Sequence, residues 1–414
     1  MTAEGWRSAT LGDVVVEILG GGTPDRRNPA FWNGKIPWAS VKDLCSPLCT
    51  GTEEAITESG LEASSARLVP AGTVVVGTRM APGRAVRFAI DVAINQDLKA
   101  IFPAKALSTD FLHQWLRARE EDIAARASGS TVKGIRLETL RAVPFLLPPL
   151  PEQRKIAAIL SSVDDTIEAS QAVIDQLQVV KKAMMAELLT KGLPGRHKKF
   201  KQTEIGQVPE EWEPTRLGDI CDRMFVGIAQ AATHAYVPTG GVPIVRTTNL
   251  RENIIRHDDL LKISRSFATE MQSKRLRKGD VLTARTGYPG TSAVVSADLD
   301  GAQCFTLLVS RPGPKLAGRF LSHVMNSHIG QRIVARGQAG GAQQNLNVGV
   351  FQEAVVFLPS LNEQEVIADQ LDVFYERLAI EQEEIEKHVA LKSALMSVLL
   401  TGEVRVRVDE EAAA

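Results

Sequence analysis

The chain of 414 residues contains no apolar run that approaches the roughly 18 residues needed to cross a membrane, and it begins without a signal-peptide pattern. Its only cysteines are Cys45, Cys49, Cys221 and Cys304, whose spacing fits neither a disulfide framework nor a zinc site made of paired cysteines. These absences argue against a membrane protein and against a disulfide-rich secreted domain. We therefore expect buried, reduced thiols and a cytoplasmic location.

Sequence motifs for catalysis are also missing. No phosphate-binding loop of the form G-x-x-x-x-G-K-[ST] occurs, so nucleotide hydrolysis by this chain is not expected. Asn28-Pro-Ala-Phe31 partly matches the N-P-P-[YF] motif of amino-methyltransferases, but it lacks the second proline and no glycine-rich cofactor loop precedes it. The seven histidines are scattered without the spacing of metal ligands. We expect no catalytic residue, no metal and no cofactor on this chain.

What the sequence does contain is a large duplication. Trp6-Arg-Ser-Ala-Thr-Leu-Gly-Asp returns 206 positions later as Trp212-Glu-Pro-Thr-Arg-Leu-Gly-Asp. Further along, Leu150-Pro-Glu-Gln returns 211 positions later as Leu361-Asn-Glu-Gln. A repeated unit this long is not a solenoid repeat, which is far shorter. The pattern predicts two copies of a globular segment followed by a helix, related by a pseudo-two-fold axis.

Each copy ends in a long segment with helical periodicity. Apolar residues recur at alternating steps of four and three from Ile156 to Leu188 and again from Ile367 to Leu399. An average spacing of 3.5 residues over several heptads is typical of a coiled-coil seam. We predict two antiparallel helices of about 40 residues, each about 60 Å long at about 1.5 Å per residue. Polar residues interrupt the seams at Ser170, Lys181, Glu381, His388 and Lys392.

The segments before the helices have a mixed pattern. Short β-like runs broken by glycine and proline occur at Val14–Ile18, Gly72–Thr78, Val281–Ala284 and Ala354–Leu358, and helical stretches at Asp110–Ala127 and Lys315–Arg336. The predicted fold class is α+β, with two mixed α/β domains separated by two long antiparallel coiled-coil helices. The predicted boundaries are residues 1–148 for the first domain, 149–192 for the first helix, 193–205 for a linker, 206–358 for the second domain, 359–402 for the second helix and 403–414 for the tail.

The charge of the chain is unevenly distributed although its net value is −1. Basic residues outnumber acidic residues by 17 to 13 in residues 206–358, whereas acidic residues outnumber basic ones by nine to three in residues 360–402. Negative charge is therefore concentrated in the second helix, and the globular segments are neutral to mildly basic. This distribution permits nucleic-acid binding without demanding it.

Arginines at the ends of strands are candidates for DNA contacts. The run Gly72–Arg79 corresponds to Gly279–Arg285, and each is followed by a Pro-Gly pair, an arrangement suited to contacts with phosphate or guanine. Glutamine and asparagine in polar loops can pair with adenine. Surface ion pairs and ordinary solvated turns are the alternative interpretations. The complete set of candidates is Arg79, Arg84, Lys133, Arg246, Asn249, Arg285, Gln343, Gln344 and Asn345.

Four stretches of the sequence resemble the specificity subunit of type I restriction–modification systems: LPPLPEQRKIAAIL (Leu147–Leu160), ELLTKGLPG (Glu187–Gly195), KFKQTEIGQVPEEWEPTRLGDI (Lys199–Ile220) and SVLLTGEVRV (Ser397–Val406). Together with the duplicated layout, the resemblance covers nearly the whole chain. It implies two target recognition domains, each reading one half of a bipartite site in double-stranded DNA. It also implies that the helices fix the gap between the two halves.

The resemblance further implies partner subunits. Two adenine-N6 methyltransferase subunits would dock on the helices and their flanks, and two ATP-driven translocase-nuclease subunits would be optional additions. S-adenosylmethionine and ATP would then be bound by those partners. The second helix carries Asn362 where the first carries Pro151, so the sequence departs from the family pattern at that position. The candidate docking residues are Glu152, Gln153, Lys181, Glu363, Gln364 and Lys392.

Two other functions compete with a non-catalytic DNA-reading subunit. A stand-alone sequence-specific DNA methyltransferase or nuclease would require a cofactor loop and an N-P-P-[YF] motif, and neither is visible. An adaptor that binds only proteins would have no sequence-dependent affinity for DNA. The DNA-reading subunit remains the leading prediction.

Overall fold

The computed structural model describes residues 5–129, 132–230, 232–338 and 346–407. Two compact units are present, one formed by Met1–Gln171 with Glu383–Ala414 and the other by Ala172–Gln382. The division falls within both long helices, so each unit combines one globular segment with part of each helix.

The first globular segment contains short strands and four short helices. Its strands are β1 (Arg7–Thr10), β2 (Val15–Gly20), β3 (Trp32–Ala39), β4 (Leu48–Cys49), β5 (Glu54–Ile56), β6 (Arg67–Val69), β7 (Val74–Gly77), β8 (Ala85–Phe88), β9 (Val92–Ile94), β10 (Leu98–Pro103) and β11 (Pro144–Leu147). Its helices are α1 (Glu58–Glu62), α2 (Thr109–Ala118), α3 (Glu120–Ala125) and α4 (Leu137–Arg141).

The long helix α5 (Leu150–Lys191) leads into the second globular segment. The strands that follow are β12 (Phe200–Thr203), β13 (Gly206–Pro209), β14 (Glu213–Arg216), β15 (Cys221–Val226), β16 (Tyr236–Val237), β17 (Val242–Val245), β18 (Leu250–Arg251), β19 (Ile254–Ile255), β20 (Leu261–Ile263), β21 (Val281–Thr283), β22 (Ser292–Val294), β23 (Gln303–Cys304), β24 (Leu308–Pro312) and β25 (Val355–Leu358). The helices are α6 (Leu217–Ile220), α7 (Arg265–Glu270), α8 (Gly318–Asn326), α9 (His328–Gln338), α10 (Val348–Gln352) and the long α11 (Leu361–Leu399).

The sheets of the two segments share one plan. In the first, β2-β10-β7-β8-β4 and β5-β3-β9-β6 form two sheets, and β1 pairs with β11. In the second, β15-β24-β21-β22 and β16-β20-β17-β23 form two sheets, and β14 pairs with β25. The pairing of the first and last strands places Arg7 opposite Leu147 and Glu213 opposite Leu358. The first and last strands of each globular segment therefore form one two-stranded ribbon, and the last strand leads into a long helix.

The largest core of each unit joins its globular segment to both helices. In the first unit, the rings of Phe111 and Trp115 in α2 lie 6.2 and 4.5 Å from that of Phe145 in β11. The same cluster includes Ile156, Leu160, Leu399 and Leu400. The corresponding cluster of the second unit combines Phe320, Phe351, Leu188, Leu189, Ile367 and Leu371. In both units the apolar face of a helix buries itself against the sheet and thereby fixes the domain on the helix pair.

The start of one long helix packs with the end of the other in each unit, as antiparallel pairing requires. The apolar positions of the predicted seam are buried or half-buried along both helices. Of the predicted polar interruptions, Glu381 and Lys392 are buried at 8% and 6% exposure. Gly192, at φ +76°, follows the last residue of α5 in the left-handed conformation that commonly ends a helix. The predicted α+β class with two long helices and an internal duplication is confirmed.

Several element boundaries differ from the prediction. The helical stretches predicted at Asp110–Ala127 and Lys315–Arg336 are each two helices, α2–α3 and α8–α9. The second break lies at Ser327, whose hydroxyl accepts a hydrogen bond from the amide of Ile329 and so caps the following helix. Strand β12 lies within residues 193–205, which the sequence suggested to be only a linker.

Two further features concern classes of protein considered above. Within the described ranges, no helix combines the length and apolar character needed to cross a membrane. All four cysteines are free thiols. Burial raises the pKa of the Cys221 and Cys304 thiols to about 12, so both are protonated and unreactive at neutral pH.

Candidate nucleic-acid interface and helix junctions

Gln153 links the first turn of α5 to the globular segment of the first unit. Its side chain is completely buried. The Oε1 atom accepts a hydrogen bond from the backbone amide of Ser108, the N-cap of α2, at 2.7 Å. The Nε2 group donates to the carbonyls of Ala106 and Pro148, both at 2.8 Å. One amide therefore ties the start of a long helix to the start of a domain helix.

Gln364 makes the same junction in the second unit. Its Oε1 accepts from the amide of Ala317, the N-cap of α8, at 2.8 Å. Its Nε2 donates to the carbonyls of Lys315 and Pro359, both at 2.9 Å. Because three backbone groups would otherwise lose this partner, glutamine is favoured at this position.

The glutamate before each glutamine binds the segment that follows the other long helix. Glu152 accepts two hydrogen bonds from Arg405, at 2.7 and 2.8 Å. Glu363 lies 2.8 Å from Nε2 of His197 and 3.4 Å from Nε of Arg196. Both carboxylates are 2% exposed. Each Glu-Gln pair thus connects three chain segments within its own unit.

The two junctions differ at one tryptophan. Trp6 donates from Nε1 to the Glu152 carboxylate at 2.9 Å. Trp212 occupies the equivalent position, but its buried Nε1 has no acceptor among the described residues. The ring of His197 lies edge-on to that of Trp212, with centroids 6.0 Å apart. In this unit His197, instead of the tryptophan, forms the hydrogen bond with the Glu363 carboxylate.

The seam lysines are the second kind of junction. In the first unit, Lys392 of α11 donates to Asp164 of α5 at 2.5 Å. Asp164 also accepts from Arg117 and, at 2.9 Å, from Gln114, both in α2. Burial alone would raise the pKa of Asp164, but these hydrogen bonds outweigh it and hold the pKa below its usual value. The carboxylate therefore remains charged and joins both helices to the domain.

The second unit uses different chemistry at the equivalent place. Nζ of Lys181 lies 4.5 Å from the ring centroid of Tyr375 and 3.0 Å from the carboxylate of Glu252. The hydroxyl of Tyr375 donates to the same carboxylate at 3.2 Å. Both units thus have a lysine in the seam. The position facing it is Asp164 in the first unit and Tyr375, 211 residues later, in the second.

These contacts revise the interpretation of the docking candidates. Glu152, Gln153, Glu363, Gln364 and Lys392 are all buried inside their own units, and the Lys181 side chain is only 17% exposed. Their hydrogen-bonding groups are engaged within the chain, and their role in docking a partner stays a prediction. The repetition of these residues reflects an internal task performed twice. In the sequence, a residue repeated for internal packing looks the same as a residue repeated for partner docking.

Arg79, Arg84 and Lys133 lie together at the tip of the β7–β8 hairpin. Arg79 forms an ion pair with Asp97 at 3.5 Å and Arg84 one with Glu120 at 3.1 Å, and both side chains remain more than half exposed. Lys133 is exposed, and its carbonyl accepts from the amide of Met80 at 3.1 Å. The structure therefore places Arg79 and Arg84 in one hairpin tip and brings the backbone of Lys133 beside it.

Arg285 lies at the base of the equivalent β21–β22 hairpin, but in a different register from the one expected. The amide of Ile135 bonds to the carbonyl of Thr78, and the amide of Leu346 bonds in the same way to that of Arg285. Thr78, not Arg79, is therefore the counterpart of Arg285. The Arg285 guanidinium donates from Nε to the Leu346 carbonyl at 2.7 Å, so part of its hydrogen-bonding capacity is used to hold a neighbouring loop.

Arg246 and Asn249 form a turn that approaches the same hairpin. A Cβ atom on Gly287 would lie 3.9 Å from the Thr247 side chain. Asn249 is completely buried, and its side chain bonds to the amide of Arg246 at 2.9 Å and to the Asp259 carboxylate. Asn249 shapes the turn and has no free group for a base, so we withdraw it as a DNA contact. Arg246 remains a candidate, with its side chain 27% exposed beside Asp259.

Three candidates, Gln343, Gln344 and Asn345, lie outside the described residues. Among the residues that are described, no group of three or more histidine, cysteine, aspartate or glutamate side chains is placed to hold a metal ion. Sequence reasoning missed the Arg405 and His197 partners of the two glutamates. The basic residue shortly after each helix end is a weak signal that could have suggested them.

Comparison with known proteins gives a consistent result. The family model described as the type I restriction modification DNA specificity domain matches the chain twice, over residues 3–179 and 209–389. The specificity subunit of the type I restriction enzyme MjaVIII from Methanocaldococcus jannaschii is 26% identical over 309 residues, which cover 73% of this chain and 72% of that protein. The EcoR124I/EcoR124II specificity subunit from Escherichia coli is 32% identical over 164 residues, or 37% of this chain and 40% of that one.

A solved structure is also similar in fold. The S subunit of a type I restriction–modification system from M. genitalium superposes with a TM-score of 0.63 at 15% identity, covering 97% of this chain and 99% of that one.

Proposed function

Since this chain belongs to the family of type I restriction–modification DNA specificity domains, we propose that its two globular segments read the two halves of one bipartite DNA site. The chain is the non-catalytic, sequence-reading subunit of a type I complex. The helices α5 and α11 set the gap between the half-sites and carry the docking surface for methyltransferase subunits.

The observation that supports this proposal is the repeated junction. Each match to the family model contains one globular segment and most of one long helix. Within each unit, the buried side chain of Gln153 or Gln364 fixes the segment to that helix through three hydrogen bonds. A reading domain must be held rigidly on its spacer, because a fixed gap between half-sites requires a fixed geometry.

Partners supply the chemistry in this proposal. Two adenine-N6 methyltransferase subunits bind S-adenosylmethionine, and optional translocase-nuclease subunits bind ATP, in the cytoplasm. Methylation of an adenine amino group in a duplex requires the base to leave the stack, a task for the methyltransferase. The role of the present chain is to bind and position the duplex. Basic groups such as Lys133 and Arg84 suit contacts with phosphate.

The decisive experiment maps N6-methyladenine in DNA from cells that express this chain together with its neighbouring methyltransferase. We expect methylation at two short defined blocks separated by a constant unspecified gap. Omission of this chain abolishes the methylation. Methylation by this chain alone would indicate a stand-alone methyltransferase and overturn the proposal, as would a soluble complex with no sequence-dependent affinity for DNA.

A further inference from the structure

Two β-hairpins, one in each unit, have the same backbone at their tips. In β7–β8, the amide of Gly83 bonds to the carbonyl of Gly77 at 2.9 Å, and the amide of Gly77 bonds to the carbonyl of Arg84 at 2.9 Å. In β21–β22, the amide of Gly290 bonds to the carbonyl of Ala284 at 3.0 Å, and the amide of Ala284 bonds to the carbonyl of Thr291 at 2.8 Å. Every pair of equivalent positions is 207 residues apart, so the two tips correspond residue by residue.

Two positions of the tip have a left-handed backbone in both hairpins. One of them is glycine in each, Gly83 and Gly290, and the other differs between the units. Gly287 has φ +75° in the second unit, and its counterpart Met80 has φ +63° in the first. Glycine adopts this conformation freely, whereas a side chain as large as that of methionine adopts it at a cost. Residues with a strained backbone of this kind cluster at binding and active sites.

Each tip presents one large side chain to solvent. Met80 is 69% exposed, and Tyr288, next to Gly287, is 83% exposed. The tips themselves are anchored, since a Cβ on Gly83 would lie 2.8 Å from the Glu120 carbonyl and one on Gly290 would lie 2.9 Å from the Val334 side chain. Met80 and Tyr288 are thus held outward on rigid bases.

We propose that Met80 and Tyr288 are the side chains that each hairpin inserts among the bases of its half-site, and that they contribute to base discrimination there. This inference rests on the proposed function and extends it to individual residues. Apolar and aromatic side chains of proteins contact thymine methyl groups or wedge between base steps. Because one tip carries a thioether and the other a phenol ring, the two domains read different base steps.

The charges around the tips fit duplex DNA as the occupant. Arg79 precedes Met80 in the chain, Arg84 lies at the other end of the same tip, and the carbonyl of Lys133 accepts from the amide of Met80. The turn that begins at Arg246 adjoins the tip that carries Tyr288. Basic groups beside a central apolar side chain match a ligand with phosphates outside and bases inside. Arg79, Arg84 and Arg246 keep partly exposed guanidinium groups beside Asp97, Glu120 and Asp259, and Lys133 is exposed, so basic groups are accessible at both tips.

The test uses the full chain in complex with its methyltransferase subunits. Affinity and methylation rate are measured on the cognate duplex and on duplexes changed at one base pair at a time. Met80→Gly and Tyr288→Ala are the main variants. Val16→Ala and Ile254→Ala are matched controls, since both valine and isoleucine are exposed, at 74% and 41%, outside the hairpin tips.

We expect Met80→Gly to weaken specific binding roughly tenfold or more and to relax discrimination in one half-site only, the size of loss typical for one base contact. Its thermal stability stays equal or rises, because glycine relieves the left-handed strain. Tyr288→Ala has the same effect on the other half-site, and Tyr288→Phe retains binding if the ring makes the contact.

The inference is overturned if Met80→Gly and Tyr288→Ala bind and discriminate like the wild-type complex. It is also overturned if the control variants lose as much binding. A wild-type complex that reads no bipartite site would instead refute the proposed function itself, so the two failures are distinguishable.

Discussion

Gln153 and Gln364 make the same three hydrogen bonds to backbone groups of their own units. The domains they hold have diverged so far that one has β4 in a five-stranded sheet where the other sheet has four strands. Bonds to backbone atoms tolerate such divergence, because they do not depend on the side chains of the partner. The junction could therefore be retained while the reading surfaces changed.

Replacement of either glutamine with alanine is expected to loosen its own unit. Three backbone groups lose their hydrogen-bond partner, and at about 1 kcal/mol for each bond the free energy of opening falls by about 3 kcal/mol. Native-state hydrogen exchange checks this at the amides of Ser108 and Ala317, which should lose protection in Gln153→Ala and Gln364→Ala respectively. Gln176→Ala, at an exposed position of α5, is the control and should change neither amide. Unaltered exchange at Ser108 in Gln153→Ala would contradict the junction.

The helices and the duplication were predictable from the sequence because their signals are periodic. The spacing from Ile156 to Leu188 alone located α5 to within a few residues. The role of Gln153 was not predictable, because two of its three partners, Ser108 and Ala106, lie 45 or more positions earlier and all three are backbone atoms. A backbone partner leaves no trace in the sequence.

The equivalent tryptophans should respond unequally to the same substitution. Trp6→Phe removes the hydrogen bond to Glu152, whereas Trp212→Phe removes a donor that has no acceptor among the described residues. Both changes remove a similar volume from a core, so the difference isolates the hydrogen bond. We expect Trp6→Phe to be more destabilising by about 2 kcal/mol, as for a bond to a charged group. Local unfolding free energies from hydrogen exchange provide the measurement, and equal losses would refute this account.

The buried pair of Lys392 and Asp164 should stabilise the first unit. Lys392→Ala leaves Asp164 with Arg117 and Gln114, so the expected loss is about 2 kcal/mol, less than for complete isolation of a buried charge. Lys387→Ala is the matched control on the same helix, since its ion pairs with Glu383 and Glu384 are exposed and contribute little. If Lys392→Ala and Lys387→Ala lowered the free energy of unfolding equally, burial would not strengthen the contact between Lys392 and Asp164.

Asp164 also predicts a dependence of stability on pH. Its pKa is lowered in the folded chain, so its contribution is present above the unfolded aspartate pKa of about 3.9 and is lost as the pH falls through the folded value. Asp164→Asn should flatten this acid-side decline for the first unit. The free energy of unfolding of the wild type and of Asp164→Asn, determined at intervals from pH 7 to roughly pH 3, measures this difference. A decline of the same steepness in Asp164→Asn would assign the dependence to other carboxylates.

The DNA candidates were less predictable than the helices. Alignment by residue type paired Arg79 with Arg285, but the hydrogen bonds of the hairpins pair Thr78 with Arg285. A shift of one residue is invisible in a short motif, yet it changes which side chain a tip presents. Burial of Asn249 was equally hidden, because its partner Asp259 lies ten positions later across a turn.

Exchange of one globular segment should alter one half of the recognised site. The ribbon formed by β14 and β25 defines the segment to be exchanged as Glu213–Leu358, because these two residues face each other across it. Replacement by the corresponding segment of a relative leaves Gln364 on α11, and its partners are backbone groups that the new segment can supply. We expect the methylation map to keep one block and the gap while the other block changes. A change in both blocks would mean that the two segments read DNA jointly, and the assignment of one half-site to each would have to be abandoned.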